Sequence, residues 1–232
     1  YEDARYIIAY CRESVERAKK ADDTQLSVLR IGTSTMTPGQ TIVDMWTQIR
    51  EEIPDIKFQL VPFENTPENA REILKNMGKN IDIVCGVYDE RALKNWQCAA
   101  QFVADVPMRC AVSFYDPLAK KDRLTVEDLH GRSIMLIREG WNEETDRLRK
   151  WLTEEHPEIN IVTFDFINLS VFNDCENSDH ILMCIDMWSN VHPLLKTLPV
   201  DWDYSMPFGL LHAPKPSKTV KRFLNAVKKL NK

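Results

Sequence analysis

Two stretches of the chain repeat one pattern of apolar and polar positions. Residues 51–61 read EEIPDIKFQLV and residues 154–164 read EEHPEINIVTF, an offset of 103 positions. In each copy two glutamates and a proline close an amphipathic helical pattern, and an apolar strand follows. A further strand precedes each helix, at 27–32 (SVLRIG) and at 132–137 (RSIMLI). Two strand–loop–helix–strand units predict two similar α/β lobes in one chain. A cleft between such lobes is where small molecules bind.

The first lobe opens with the strand at 27–32. Thr37, then Pro38, then Gln40 have the form of a capping box with proline at the first helical position. Ile42, Trp46, Ile49 and Ile53 supply the buried stripe of that helix, and Pro54 stops it. Residues 56–63 alternate as a second strand. Thr66-Pro67 starts a second helix, with Ile73, Leu74 and Met77 apolar and Gly78 at its end. Residues 81–86 (IDIVCG) are almost continuously apolar, as buried parallel strands are. This alternation implies a parallel sheet with right-handed crossovers. A strand at 106–114 leads away to the second lobe: strand 132–137, helix 143–155 capped by Asn142, strand 159–166, a polar region at 168–179, and strand 180–185. The chain returns through 202–213 to a final helix with Val220, Phe223, Leu224, Val227 and Leu230 on one face. Crossings near 104–107 and 199–206 make a two-strand hinge. The expected organisation is a helix at 1–24, lobe I over 25–105 plus 204–232, and lobe II over 106–203. The leading helix (3–21) has a narrow seam of Ile7, Ile8, Cys11, Val15 and Ala18. That seam suits a connector or dimerisation arm, or a helix folded onto the first lobe.

Composition narrows the function classes. No apolar run approaches the ~20 residues that span a bilayer, so no membrane role is expected. Net charge is −5, yet residues 214–232 carry seven basic and no acidic side chains, which leaves the body strongly acidic. An acidic body is a poor DNA-binding surface. The basic stretch reads as the solvated face of a packing helix. Six cysteines show no C-x-x-C spacing, and Cys85 and Cys184 sit in apolar strand patterns, which fits buried free thiols in a reducing cytoplasm. Cys175, in NDCENSD, is the one read as exposed. The five histidines form no i, i+4 pair, and His156 is read as solvent-exposed. There is no H-E-x-x-H, G-x-S-x-G, P-loop or G-x-G-x-x-G. No catalysis, metal or cofactor is expected.

The order LRIGTST, IPDIKFQLVPF, LKNMGKNIDIVCG, DPLA, DLHGRSIMLI and FGLLHAPKPSKTVKRFLNAV resembles the effector-binding domain of LysR-type transcriptional regulators. The resemblance covers essentially the whole chain. It implies two Rossmann-like lobes of the type 2 periplasmic-binding-protein fold, with residues 3–21 as the linker helix from a winged helix-turn-helix that this chain lacks. It further implies a homodimer or tetramer that touches DNA only through that missing domain. One departure is IDMWSNVHPLLKTLP, where Asp186, Met187 and Trp188 replace small residues and fill space near the cleft. Ligands in parallel α/β lobes lie at the C-terminal ends of the strands, before helix N-termini. There the first lobe offers Thr33, Ser34, Thr35, Gly86 and Tyr88. The second offers Arg138, Glu139, Trp141, Asp186 and Trp188. Hydroxyls, helix dipoles and Arg138 favour a carboxylate effector, while the nearby acidic residues leave a zwitterion open. A solute-binding receptor of a transporter shares the same fold and is the alternative, with a two-lobed transferase or dehydratase as a third class.

Overall fold

The computed structural model describes residues 27–37 and 39–230, so the helix expected over 3–21 and the role given to Pro38 lie outside the described residues. The first lobe runs β1 (Ser27–Thr33), α1 (Gln40–Ile49), β2 (Ile56–Pro62), α2 (Pro67–Lys75), β3 (Ile83–Val87) and α3 (Glu90–Trp96). Then come β4 (Ala99–Ser113), β5 (Ser133–Ile137), α4 (Glu143–Glu155), β6 (Asn160–Phe164), α5 (Leu169–Glu176), β7 (Ile181–Ile185), β8 (Leu195–Pro199), β9 (Ser205–His212) and α6 (Lys218–Leu230).

The strands lie in the order β2-β1-β3-β9-β4-β7-β5-β6, with β8 on β4. This order is the sequence duplication made visible. β1 pairs in parallel with β2 and β3, and β9 runs antiparallel beside β3. In the second lobe β5 pairs in parallel with β6 and β7, and β4 runs antiparallel beside β7. Each lobe is thus three parallel strands plus one antiparallel strand that arrives from the other lobe, and the second lobe adds β8 antiparallel on β4. β4 and β9 pair along 99–107 against 212–205, so the two connecting strands form one ladder.

Gly209 sits in the middle of that ladder, opposite Gly86 on one side and Phe102 on the other. A Cβ there would lie 2.3 Å from the Gln101 carbonyl oxygen and 2.9 Å from the Tyr88 ring. Backbone and an aromatic ring close over this position, and only glycine leaves room.

Several local expectations change. α1 begins at Gln40 with Gly39 before it, and no side chain caps it. Thr37 does not cap that helix because its hydroxyl lies 2.8 Å from the Ser34 hydroxyl. Paired backbone bonds between Ser34 and Thr37 close this loop on itself before Gly39. The segment read as polar holds α5, whose Val171, Phe172 and Cys175 are buried. Cys175 is therefore fully buried, not exposed, and its thiol donates to the His180 carbonyl. His156 is half-buried, with Nδ1 3.1 Å from Nε2 of His130 and its ring against Trp151. Asn142 and Thr66 do cap their helices, α4 and α2. α6 buries Val220, Phe223, Leu224 and Val227. Its basic face meets the first copy of the repeated motif, where Arg222 pairs with Asp55 and Lys229 with Glu52.

Replacing Gly209 by Ala is expected to destabilise the fold by about 3 kcal/mol or more, since rigid backbone cannot yield to the added carbon. Denaturant unfolding measures this; a loss within 0.5 kcal/mol, roughly a neutral surface change, contradicts the packing described.

Candidate functional site

A cavity of about 120 Å³ lies between the lobes. Met36 and Thr37 reach it from the β1–α1 loop, and Phe63 and Asn65 from the segment before α2. β3 supplies its C-terminal half, Val84 to Val87, as the topology of a parallel sheet dictates. Ala70, Ile73 and Leu74 line it from α2. None of that helix's side chains is fully buried, and Ile73 packs partly against Met77, Ile81 and Val84. The helix's apolar positions form the cavity wall, and Trp96 at the end of α3 adds to it. The opposite wall is Trp141, Phe166, Ile167, Met187 and Trp188 of the second lobe.

No lining residue is charged. The polar lining side chains are Thr37, whose hydroxyl is engaged by Ser34, and Asn65, whose amide donates to the Ile167 carbonyl at 2.8 Å. Cys85 lines the cavity too, and burial pushes its thiol up to about 12, so it is a protonated apolar wall and not a nucleophile. Among the described residues no group of three or more His, Cys, Asp or Glu could hold a metal ion. Nor is any helix among them long and apolar enough to cross a membrane.

The chain ties its own lobes together around this cavity. Trp188, buried, donates its indole N–H to the Met36 carbonyl at 3.0 Å. Asn65 makes the bond to Ile167 already given. Buried Asp89 accepts from Ala92 N–H at 2.6 Å, capping α3, and its other oxygen accepts from Glu143 N–H at 2.8 Å, at the start of α4 in the second lobe. Arg91 reaches Asp146 of α4 at 3.2 Å. The cleft is closed by internal hydrogen bonds on both flanks.

The ten residues singled out in the sequence scatter around this cavity. Gly86, Trp141 and Trp188 line it. Thr33 and Ser34 turn inward on their own loop, with the Thr33 hydroxyl donating to the Thr37 carbonyl. Thr35 and Asp186 share a neighbouring recess, and Asp186 lies 2.6 Å from the Arg109 Nε. Arg138 is exposed and lines an adjoining recess with Arg71 and Asp165, one that shares Trp141 and Phe166 with the cavity. Glu139 faces the outer side of α4. Tyr88 packs on the connecting ladder over Gly209, and its N–H donates to Pro207. Burial first, and Asp105 second, raise its phenol's pKa. Sequence reasoning missed the α2 wall, Asn65, Phe63, Trp96, Phe166 and Ile167 as site residues.

Trp188→Phe keeps the buried ring and removes the N–H that meets Met36. The expected cost is about 1–2 kcal/mol, from an orphaned buried carbonyl and a looser cleft. Chemical denaturation checks it, and an unchanged midpoint counts against this tie.

No protein-family model and no curated protein sequence matches the chain. Solved structures do. CbnR, a LysR family transcriptional regulator, aligns with a TM-score of 0.66 and 14% identity over 100% of this chain and 79% of that one. The effector-binding domain of QuiR in complex with shikimate aligns with a TM-score of 0.60 and 15% identity, covering 88% of this chain and 97% of the other. The regulatory domain of Synechocystis CcmR in complex with 2-PG gives 0.57 and 13%, over 89% and 98%. At this identity the likeness is one of fold. The chain has the two-lobed, type 2 periplasmic-binding-protein-like fold of LysR-type effector-binding domains.

Proposed function

We propose that the chain is the effector-sensing regulatory domain of a LysR-type transcriptional regulator, with no catalytic activity of its own. The observation that carries this reading is the apolar interlobe cavity, on a fold whose solved counterparts include domains complexed with shikimate and 2-PG. The effector sits in that cavity against Gly86, Trp141 and Trp188. Thr33, Ser34 and Thr35 shape the loop behind Met36 and Thr37, Asp186 flanks one side, and Arg138 and Glu139 flank the other. Tyr88 stiffens the hinge. Lobe I, 25–105 plus 204–232, and lobe II, 106–203, turn about the β4–β9 ladder. An effector shifts that turn only if it binds the two arrangements with different affinity. Residues 1–24 link to a winged helix-turn-helix outside this chain, which makes the DNA contact, and the domain works as a homodimer or tetramer. Among the described residues five free thiols are buried, which suits a reducing cytoplasm.

The test is a thermal-shift screen of small metabolites on this chain, with scattering on each hit. The expected result is a compound that raises the melting temperature, alters the scattering profile, and binds at least tenfold more weakly to Trp141→Ala. A screen with no such compound, or hits indifferent to the Trp141 change, contradicts the reading.

A further inference from the structure

Resting on that ligand-sensing reading, we infer that the effector is a small, neutral, single-ring arene and not an acid or a zwitterion. Size sets the first limit. An apolar cavity of about 150 Å³ stays dry and accepts benzene, and the one here is about 120 Å³. A six-membered ring with at most one small substituent fills it. The walls set the second limit. Trp141, Trp188 and Phe166 offer ring faces and edges, and the thioethers of Met36 and Met187 are soft partners for an aromatic ring. Such a site suits a flat, polarizable guest.

Charge sets the third limit. No lining side chain carries a counter-ion, and burying an unpaired carboxylate is far costlier than burying a ring. Two backbone donors at the start of the second lobe's first helix are already taken by the chain itself. Glu143 N–H, at the start of α4, is given to Asp89. Gly140 N–H is given to the Asp146 carboxylate at 3.0 Å. An anion brought here meets two resident carboxylates. The exposed guanidinium groups of Arg71 and Arg138 lie in an adjoining recess that shares Ala70, Leu74, Trp96, Trp141 and Phe166 with the cavity, and the exposed carboxylate of Asp165 lies in it too. An acid would have to carry its head past the uncharged lining into that solvent-screened recess, where Asp165 opposes it. Asn65, whose amide N–H is given to Ile167, still presents its side-chain oxygen, which suits one hydroxyl on the ring.

The experiment titrates this chain with benzene, phenol and benzoate by calorimetry, following Trp96, Trp141 and Trp188 fluorescence alongside. Benzene or phenol is expected to bind at least tenfold more tightly than benzoate. Ala70→Leu, which fills the cavity from α2, should weaken that binding at least tenfold, and Ile73→Phe is the second filling variant should the first misfold. Benzoate binding as tightly as phenol, and depending on Arg138, overturns the ligand class while leaving the cleft as an effector site. Binding of none of the three also overturns the class, and the metabolite screen then decides the fate of the sensing reading separately. Neutral arenes that bind indifferently to both filling variants place the guest elsewhere and overturn the inference as well.

Discussion

One carboxylate holds two helix starts. Asp89 follows β3 and caps α3 with one oxygen, while its other oxygen takes the first free N–H of α4 across the cleft. Helix N-termini leave their first N–H groups without intrahelical partners and carry partial positive charge. A buried carboxylate between two such ends serves both, and charge-assisted bonds of this kind are each worth about 1.5–3 kcal/mol. The consequence is geometric. With Asp89 in place on one flank, and Trp188 bound to Met36 on the other, the lobes are held together around a small apolar space.

The hinge makes closure adjustable. Every crossing between the lobes runs through β4 and β9, which pair with each other and with both parallel sets. Gly209 lets these strands approach closely, since a Cβ there would lie 2.3 Å from the Gln101 carbonyl oxygen. A rigid ladder with hydrogen-bonded flanks has a definite closed state. A guest of the right size changes the balance at the flanks and leaves the sheet itself intact.

Much of the fold was legible before any coordinates. The motif repeated at 51–61 and 154–164 reappears as the equivalent α1–β2 and α4–β6 passages, because binary patterning fixes which face of each element is buried. The start of α1 was misread. Thr37 has the sequence form of a cap, yet its hydroxyl has a nearer partner in Ser34, a local contact that spacing alone does not reveal. α5 was invisible because Val171, Phe172 and Cys175 are its buried positions within eight residues, too short a stripe to stand out among polar neighbours. The cavity was harder still. Ala70, Ile73 and Leu74 have the pattern of core residues, and spacing does not show that they stay partly open to a cavity, even where Ile73 packs on the Met77, Ile81 and Val84 cluster. Arg138, chosen for its chemistry, lies outside, since a side chain's charge says nothing about the way its loop faces.

Hydrogen exchange at the Glu143 amide tests closure most directly, because an N–H in the first turn of a helix has no partner of its own and exchanges fast when exposed. In the ligand-free protein this amide is predicted to be strongly protected, and to lose that protection in Asp89→Ala while the amides later in α4 keep theirs. Fast exchange at Glu143 in the unmodified protein contradicts a cleft closed by its own carboxylate.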